Sequence, residues 1–246
     1  MDEYGVKING MHTYRDWGLK CLEVSIGIPE SEKEKIKQSS GNAYTVVSGE
    51  GQYEQRALRI VLDHEDTMEE WQQKLTEIAG KINGKEVVVE LDSDPGAYYI
   101  GTATVVTEKN DYAYSDFEIS VLVDPFKYKD YVSITVSSSG KITAETDFET
   151  PCIVEITPLN DNSDLTITGI ARDPITGEDE PVTIKNLKKS IPVIVDGETC
   201  TVTQQGANKY PETDFWEFPS LLPGENQITL SNAVNTVTIK YRPRYI

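Results

Sequence analysis

Apolar residues along the 246-residue chain recur at two different periods. Near the start, Val6 and Ile8 alternate with Lys7 and Asn9. After Trp17-Gly18-Leu19, the residues Leu22, Val24 and Ile26 alternate again. A period of two predicts strand, loop, strand. Residues 30–40 (ESEKEKIKQSS) are polar on every side and run into Gly41-Asn42. That composition predicts an exposed arm or long hairpin over about 30–53 rather than a core helix. Leu58, Ile60 and Leu62 then share one face of a further strand. Past Asp63-His64-Glu65-Asp66 the period changes: Met68, Trp71, Leu75, Ile78, Ala79 and Ile82 fall on one helical face. Thr67 and Glu70 have capping-box spacing, in which hydroxyl and carboxylate satisfy orphan backbone N–H groups, and Asn83-Gly84 suits the far end. One helix is predicted, over about 67–83.

Everything beyond it reads as β. Residues 86–91 form a strand, Asp92-Ser93-Asp94-Pro95-Gly96 a turn, and residues 98–107 the next strand. Phe117, Ile119, Val121 and Val123 alternate until Asp124-Pro125 ends their strand. From Tyr131 onward short apolar alternations are separated by turn residues at Ser138-Ser139-Gly140, residues 160–164, Asp173-Pro174, Thr176-Gly177 and Pro223-Gly224. Asp196-Gly197, between residues 191–195 and 198–203, suits a two-residue type I′ hairpin. Ile228 and Leu230, then Val237, Ile239 and Tyr241, alternate near the end. Regular short strands of this kind predict a β-sandwich of about a hundred residues. The expected fold class is mainly β. A β-sandwich-like domain at 1–129 carries one α-helix and an extended arm, and a second sandwich occupies 130–246.

Composition narrows the function classes. Lys and Arg number 23 against 41 Asp and Glu, a net charge of −18, so tight binding to nucleic acid or anionic lipid is not expected. Residues 1–129 carry 14 bases and 24 acids, and residues 130–246 carry 9 and 17, so both domains are acidic. No stretch approaches the ~20 apolar residues of a membrane span. The N-terminus, MDEYGVKING, has acids and a glycine where a signal peptide needs a basic and then an apolar region. Cys21, Cys152 and Cys200 are far apart and odd in number, so buried small hydrophobes are the simplest reading.

Candidate chemistry is thin. The chain has no HExxH, GxSxG or Rossmann glycine pattern. Gly80-Lys81-Ile82-Asn83-Gly84-Lys85-Glu86 has the wrong glycine spacing for a P-loop, puts Glu where Mg²⁺ needs Ser or Thr, and ends a helix instead of opening one. Asp63-His64-Glu65-Asp66 and Asp161-Asn162-Ser163-Asp164 offer oxygen ligands for a cation, but a loop before a helix and a β-turn explain them more simply. Forty-one acids always contain carboxylate pairs at glycosidase spacing, so such pairs single out nothing. Tyr98-Tyr99, Trp216 and the 13 Tyr are able to stack on sugars, although strand aromatics more often serve as core or cross-strand pairs. No catalytic, cofactor or metal residue is expected.

Four stretches, in order, resemble one family. They are Lys7-Ile8-Asn9-Gly10 with Trp17-Gly18-Leu19, and the strand of residues 56–62 before the helix of Trp71, followed by Asp94-Pro95-Gly96-Ala97-Tyr98-Tyr99. The third is Val121-Leu122-Val123-Asp124-Pro125-Phe126-Lys127-Tyr128, a strand closing in a Pro-Phe-x-Tyr step. The fourth is Leu222-Pro223-Gly224-Glu225-Asn226 with residues 237–245, read as a C-terminal hairpin. This set resembles the distal tail protein (Dit) family of siphophages and prophages. Relatives have an Asp-Gly-rich turn after the arm, where this chain has Ser40-Gly41-Asn42-Ala43.

The resemblance implies a virion structural protein, not an enzyme, made in the host cytoplasm and placed at the distal end of the tail. It implies a homohexameric ring, single or as two rings back to back, built by the N-terminal domains with the arm reaching over a neighbour. The C-terminal domain would be galectin-like. The ring would join the tail tube protein to the tail-associated tip protein, with a receptor-binding protein as a further partner and DNA as transient cargo through the lumen. Residues 30–53 and the strands near Trp17 are the expected subunit contacts. The rival readings are a carbohydrate-binding module for host cell-wall glycans, and a glycosidase or esterase.

Overall fold

The computed structural model describes residues 4–31, 33–37, 43–47, 53–64, 67–107, 116–161, 163–232 and 235–246, with backbone alone for 33–37, 43–47, 68 and 163. The chain divides into two compact units, Met1–Lys129 with Ile246, and Asp130–Tyr245.

The N-terminal unit begins with β1 (Val6–Ile8), β2 (Met11–His12), β3 (Lys20–Ile26), β4 (Lys33–Lys37), β5 (Ala43–Val47) and β6 (Arg56–Asp63). Then come α1 (Met68–Ile82), β7 (Glu86–Leu91), β8 (Tyr98–Val105), β9 (Phe117–Val123) and β10 (Lys127–Tyr128). Seven strands follow one another through one antiparallel sheet in the order β2-β1-β7-β8-β9-β6-β3, and β10 pairs beside β8. The alternating residues of β6 and β9 are buried throughout: Leu58, Ile60, Leu62, Phe117, Ile119, Val121 and Val123 are fully enclosed. Trp71, Leu75, Ile78 and Ile82 of α1 join the same core. Trp71 meets the Phe117 ring edge-on at 5.3 Å and stacks on His64 at 4.0 Å. The capping box forms, with Thr67 Oγ1 accepting from the Glu70 N–H and Glu70 Oε2 from the Thr67 N–H.

The expected arm is a hairpin. β4 and β5 pair from Lys33↔Val47 to Lys37↔Ala43, and a Ser31↔Tyr53 bridge with a Glu54 N–H to Glu30 carbonyl bond closes its base. Its tip, including Ser40, Gly41 and Asn42, lies outside the described residues. Leu22 departs from the expected alternation. The β3–β6 register shifts between Cys21 and Glu23, and Leu22 in that bulge is 55% exposed. Cys21, Val24 and Ile26 pack on the core instead. A bulge inserts one residue and so inverts the side-chain phase.

The C-terminal unit continues with β11 (Val132–Val136), β12 (Gly140–Ala144), β13 (Thr150–Pro158), β14 (Ser163–Thr168), β15 (Val182–Leu187) and β16 (Val193–Asp196). It ends with β17 (Thr201–Gln204), β18 (Ala207–Asn208), β19 (Thr213–Asp214), β20 (Ser220–Leu221), β21 (Gly224–Leu230), β22 (Asn235–Tyr241) and β23 (Arg244–Tyr245). One sheet runs β11-β22-β13-β16-β17-β18, with β20 beside β13; the other runs β12-β21-β14-β15-β19. Residues from both inner faces, such as Val154, Ile156 and Ile239 against Ile167, Ile184 and Ile228, form one core. That is a sandwich.

Two sequence expectations change here. The segments taken as a C-terminal hairpin, β21 and β22, lie in opposite sheets. Alternation marks a buried face but not which sheet owns it. The Asp196-Gly197 connection is not a two-residue turn either. Asp196 pairs with Thr201, leaving four residues between them. Asp196 Oδ1 accepts from the Glu198 and Thr199 N–H groups, and Cys200 takes the positive φ of 52°. Gly197 is needed for another reason: a Cβ there would collide with the backbone oxygens of Pro219 and Cys152.

Candidate functional site

The first signature stretch is a knot at the N-terminal edge of the sheet. Residues 13–19 curl so that the Gly18 N–H reaches the Tyr14 carbonyl and the Leu19 N–H the Thr13 carbonyl, both at 2.9 Å. Gly18 has φ 66°. Trp17 and Leu19 are buried in the unit's own core. The nearby apolar groups facing solvent are Met11, Tyr14, Leu22 and Ile28.

His12, which sequence reasoning left without a role, is the centre of this knot. Its Nδ1 accepts from the Tyr14 and Arg15 N–H groups, each at 3.1 Å. The ring proton is thereby placed on Nε2, which donates to Asp92 Oδ2 at 2.9 Å. The Gly5 N–H donates to the same oxygen at 3.0 Å. Burial opposes ionisation of Asp92, yet the bonds from His12 and Gly5 and the nearby positive charge hold its carboxyl below the ordinary range. A Cβ at Gly5 would run into the imidazole. Asp92 lies eighty residues from His12, and an alternation pattern carries no sign of such a contact.

The Asp124-Pro125-Phe126-Lys127-Tyr128 step is a folded clasp. The Asp124 N–H donates to the Ile100 carbonyl at 2.9 Å, and the Tyr128 hydroxyl donates to Asp124 Oδ2 at 3.0 Å. Phe126 is buried with its ring edge-on to Tyr53, and Tyr128 pairs in register with Tyr98. Pro125 is half-buried. Lys127 Nζ donates to Asp94 at 2.8 Å, a bond that raises its pKa. The Pro-Phe-x-Tyr pattern therefore fastens the end of the first unit back onto β8.

Pro223 and Gly224 turn the chain from β20 into β21, Gly224 at φ 83°. Asn226, 1% exposed, closes that turn. Its Oδ1 accepts from the Leu222 N–H, and its Nδ2 donates to the Leu222 and Gly224 carbonyls at 2.8 and 3.1 Å. Trp71 is the core residue of α1, and none of the signature residues converges on a reaction centre.

The described acids of the second candidate cation loop have structural roles. Asp161 and Asp164 accept from the backbone N–H groups of Lys189 and Asn186, which ties the start of β14 to the end of β15; Asn162 lies outside the described residues, as do Glu65 and Asp66. Among the described residues no three His, Cys, Asp or Glu side chains gather to hold a metal. Burial, with the Asp92 charge nearby, pushes the Cys21 thiol up to about 11, and burial raises Cys152 as well. Both thiols are thus poor nucleophiles at neutral pH. No helix among the described residues is long and apolar enough to cross a membrane.

Residues 145–245 match the family profile of the siphovirus-type tail component, C-terminal domain. The matched segment lies within the C-terminal unit. No curated protein matches the chain in sequence. Two solved structures share the fold along both units. The crystal structure of the SPP1 Dit (gp 19.1) protein, a paradigm of the hub adsorption apparatus in Gram-positive infecting phages, aligns over 99% of each chain. Its TM-score is 0.74 at 14% identity. A chain of the phage p2 baseplate in its activated conformation with Sr aligns over 98% of each chain, with a TM-score of 0.54 at 14% identity. The chain therefore has the mainly β fold of a distal tail protein throughout, and the family's sequence signature in its C-terminal unit. The family match and both solved structures are phage tail components, which supports a structural role in a phage tail.

Proposed function

We propose that this protein is the distal tail hub of a siphophage or prophage. Six copies form a ring that joins the tail tube to the tail-associated tip protein, and DNA passes through the lumen. The observation that supports this most is the match of both units, end to end, to the SPP1 Dit fold. A local likeness would have covered the sandwich alone. The N-terminal units build the ring in this reading. The β4–β5 hairpin, which pairs with no other strand among the described residues, reaches a neighbour, and Met11, Tyr14, Leu22 and Ile28 offer apolar contact. Unpaired strand edges and exposed apolar groups are what an assembling surface presents. A C-terminal unit on the outside of the ring would be free to meet a receptor-binding protein.

The acidity fits passage of DNA. Six copies carry 6 × −18 = −108 charges. Acids facing the lumen would repel the phosphate backbone and keep DNA from sticking. Native mass spectrometry at high protein concentration tests the arm directly. The full chain gives a species of six subunits, and removal of residues 33–47 shifts it to smaller ones. An unchanged hexamer after that deletion would remove the arm from the account.

A further inference from the structure

Trp216 is 84% exposed, whereas Trp17 and Trp71 are 7% and 2% exposed. Protein interfaces favour tryptophan because it offers a large, rigid face at little entropic cost. The fold holds this one in place. Its N–H donates to Glu180 Oε1 at 2.8 Å, and the adjoining Phe215 is buried. Phe215 in turn meets Tyr210 and Phe218 edge-on, with ring centroids 5.8 and 5.3 Å away. Trp216 also borders a hollow of about 300 Å³, together with Tyr210, Thr213 and Asp214.

The charge around this indole is one-sided. Residues 171–185 and 209–217, the two segments that the Glu180–Trp216 bond joins, carry seven acids and three bases. Each base is already engaged: Arg172 by Asp179 at 3.5 Å, Lys185 by Asp214 at 3.1 Å and Lys209 by Glu212 at 2.7 Å. Glu180 bonds the Trp216 N–H and Glu217 is its neighbour in the chain, and neither has a cation beside it among the described residues. Elsewhere in the same unit the protein completes such a group by itself. Arg242 lies 5.2 Å from the centre of the Tyr131 ring and grips both oxygens of Glu198, Nε and Nη2 each at 2.8 Å. Ring, carboxylate and guanidinium act together there. At Trp216 the ring and the carboxylates are present, and no described guanidinium joins them.

We propose that Trp216, with Glu180 and Glu217, is a docking point for an arginine-bearing segment of a protein partner, the guanidinium lying on the indole and pairing with a carboxylate. Charge complementarity selects this occupant. An acidic rim repels phosphate and carboxylate groups, and a planar guanidinium meets ring and carboxylate at once, which a compact ammonium does less well. This site is independent of ring formation, so its failure would leave the hub reading untouched.

Tryptophan fluorescence of the full-length protein tests it, because Trp216 alone among the three tryptophans is open to a quencher. The probes are short blocked peptides of alternating glycine and arginine, with lysine and citrulline counterparts; citrulline keeps the planar group and drops the charge. At about 0.15 M salt, which screens diffuse attraction, the arginine peptide should give a saturable loss of acrylamide quenching. The lysine peptide should bind several-fold more weakly, and the citrulline peptide not at all up to about 10 mM. By calorimetry, Trp216→Ala should weaken binding of the arginine peptide about tenfold, and Trp216→Tyr should restore most of it. Glu180→Gln combined with Glu217→Gln should weaken it several-fold, every variant keeping its circular dichroism. The proposal is overturned by no saturable response to the arginine peptide at about 10 mM. Binding that Trp216→Ala leaves intact would overturn it too, as attraction to the acidic surface at large, and so would equal binding of the citrulline peptide.

Discussion

Arg59 grips both oxygens of Glu118, Nε at 2.9 Å and Nη2 at 2.8 Å, across β6 and β9. That bond holds the Glu118 carboxyl below its ordinary value, although burial pulls the other way. A depressed carboxylate stabilises the fold above its unfolded pKa, and the contribution is lost as pH falls through the folded value. The stability difference between the parent and Glu118→Gln should therefore be constant from pH 7 to about 5.5 and shrink below about 4.5. Urea denaturation across that range reads it, and a difference that grows on acidification would refute the pairing. The pair is part-exposed, so the difference should also fall with added salt. Asn226→Ala removes one acceptor and two donors from a buried turn, for an expected loss of about 2–3 kcal/mol by the same measurement. The Pro-Gly-x-Asn pattern announced a turn here, but not that the amide closes it by bonding three backbone groups. His12 was less legible still, because its partner Asp92 lies eighty residues further along the chain and only the folded sheet edge brings the two together.

Elements whose logic is local were readable. α1 needed only the spacing of Trp71, Leu75, Ile78 and Ile82 and the Thr67–Glu70 box, all within one stretch of chain. Trp71→Ala should cost about 3–5 kcal/mol, since the indole lies between Phe117 and His64 in the core. Thr67→Ala should cost only about 0.5–2 kcal/mol. If thermal unfolding ranks the two the other way, packing does not dominate this helix. Strands were legible as strands but not as partners. The same alternation describes β21 and β22, yet one sheet takes the first and the opposite sheet the second. Leu22 obeyed the pattern and still ended outside, because the bulge that displaces it depends on the register with β6. Exposure makes it a probe of assembly. Leu22→Asp combined with Ile28→Asp should leave the monomer's melting temperature within a few degrees and weaken self-association in sedimentation. A folded double variant that assembles normally would exclude that edge from the contact.

Each unit of the molecule encloses its own core, one around Leu58, Ile119 and Trp71, the other around Ile156, Ile184 and Ile239. Residues 130–246 produced alone should accordingly unfold cooperatively, with β-type circular dichroism. A molten fragment would mean that the sandwich depends on the rest of the chain. The order of signature segments pointed to a tail hub from sequence alone, and the clasp at residues 124–128 and the turn at 223–226 show what those residues do locally. Any part they play in the proposed ring would depend on neighbouring copies, and a single chain's pattern does not encode where those neighbours sit. Electron microscopy of the purified full-length protein, alone at high concentration and together with tube and tip proteins, addresses the central claim directly. The account predicts six-fold rings with an open centre. Particles that stay monomeric under every one of these conditions would contradict it.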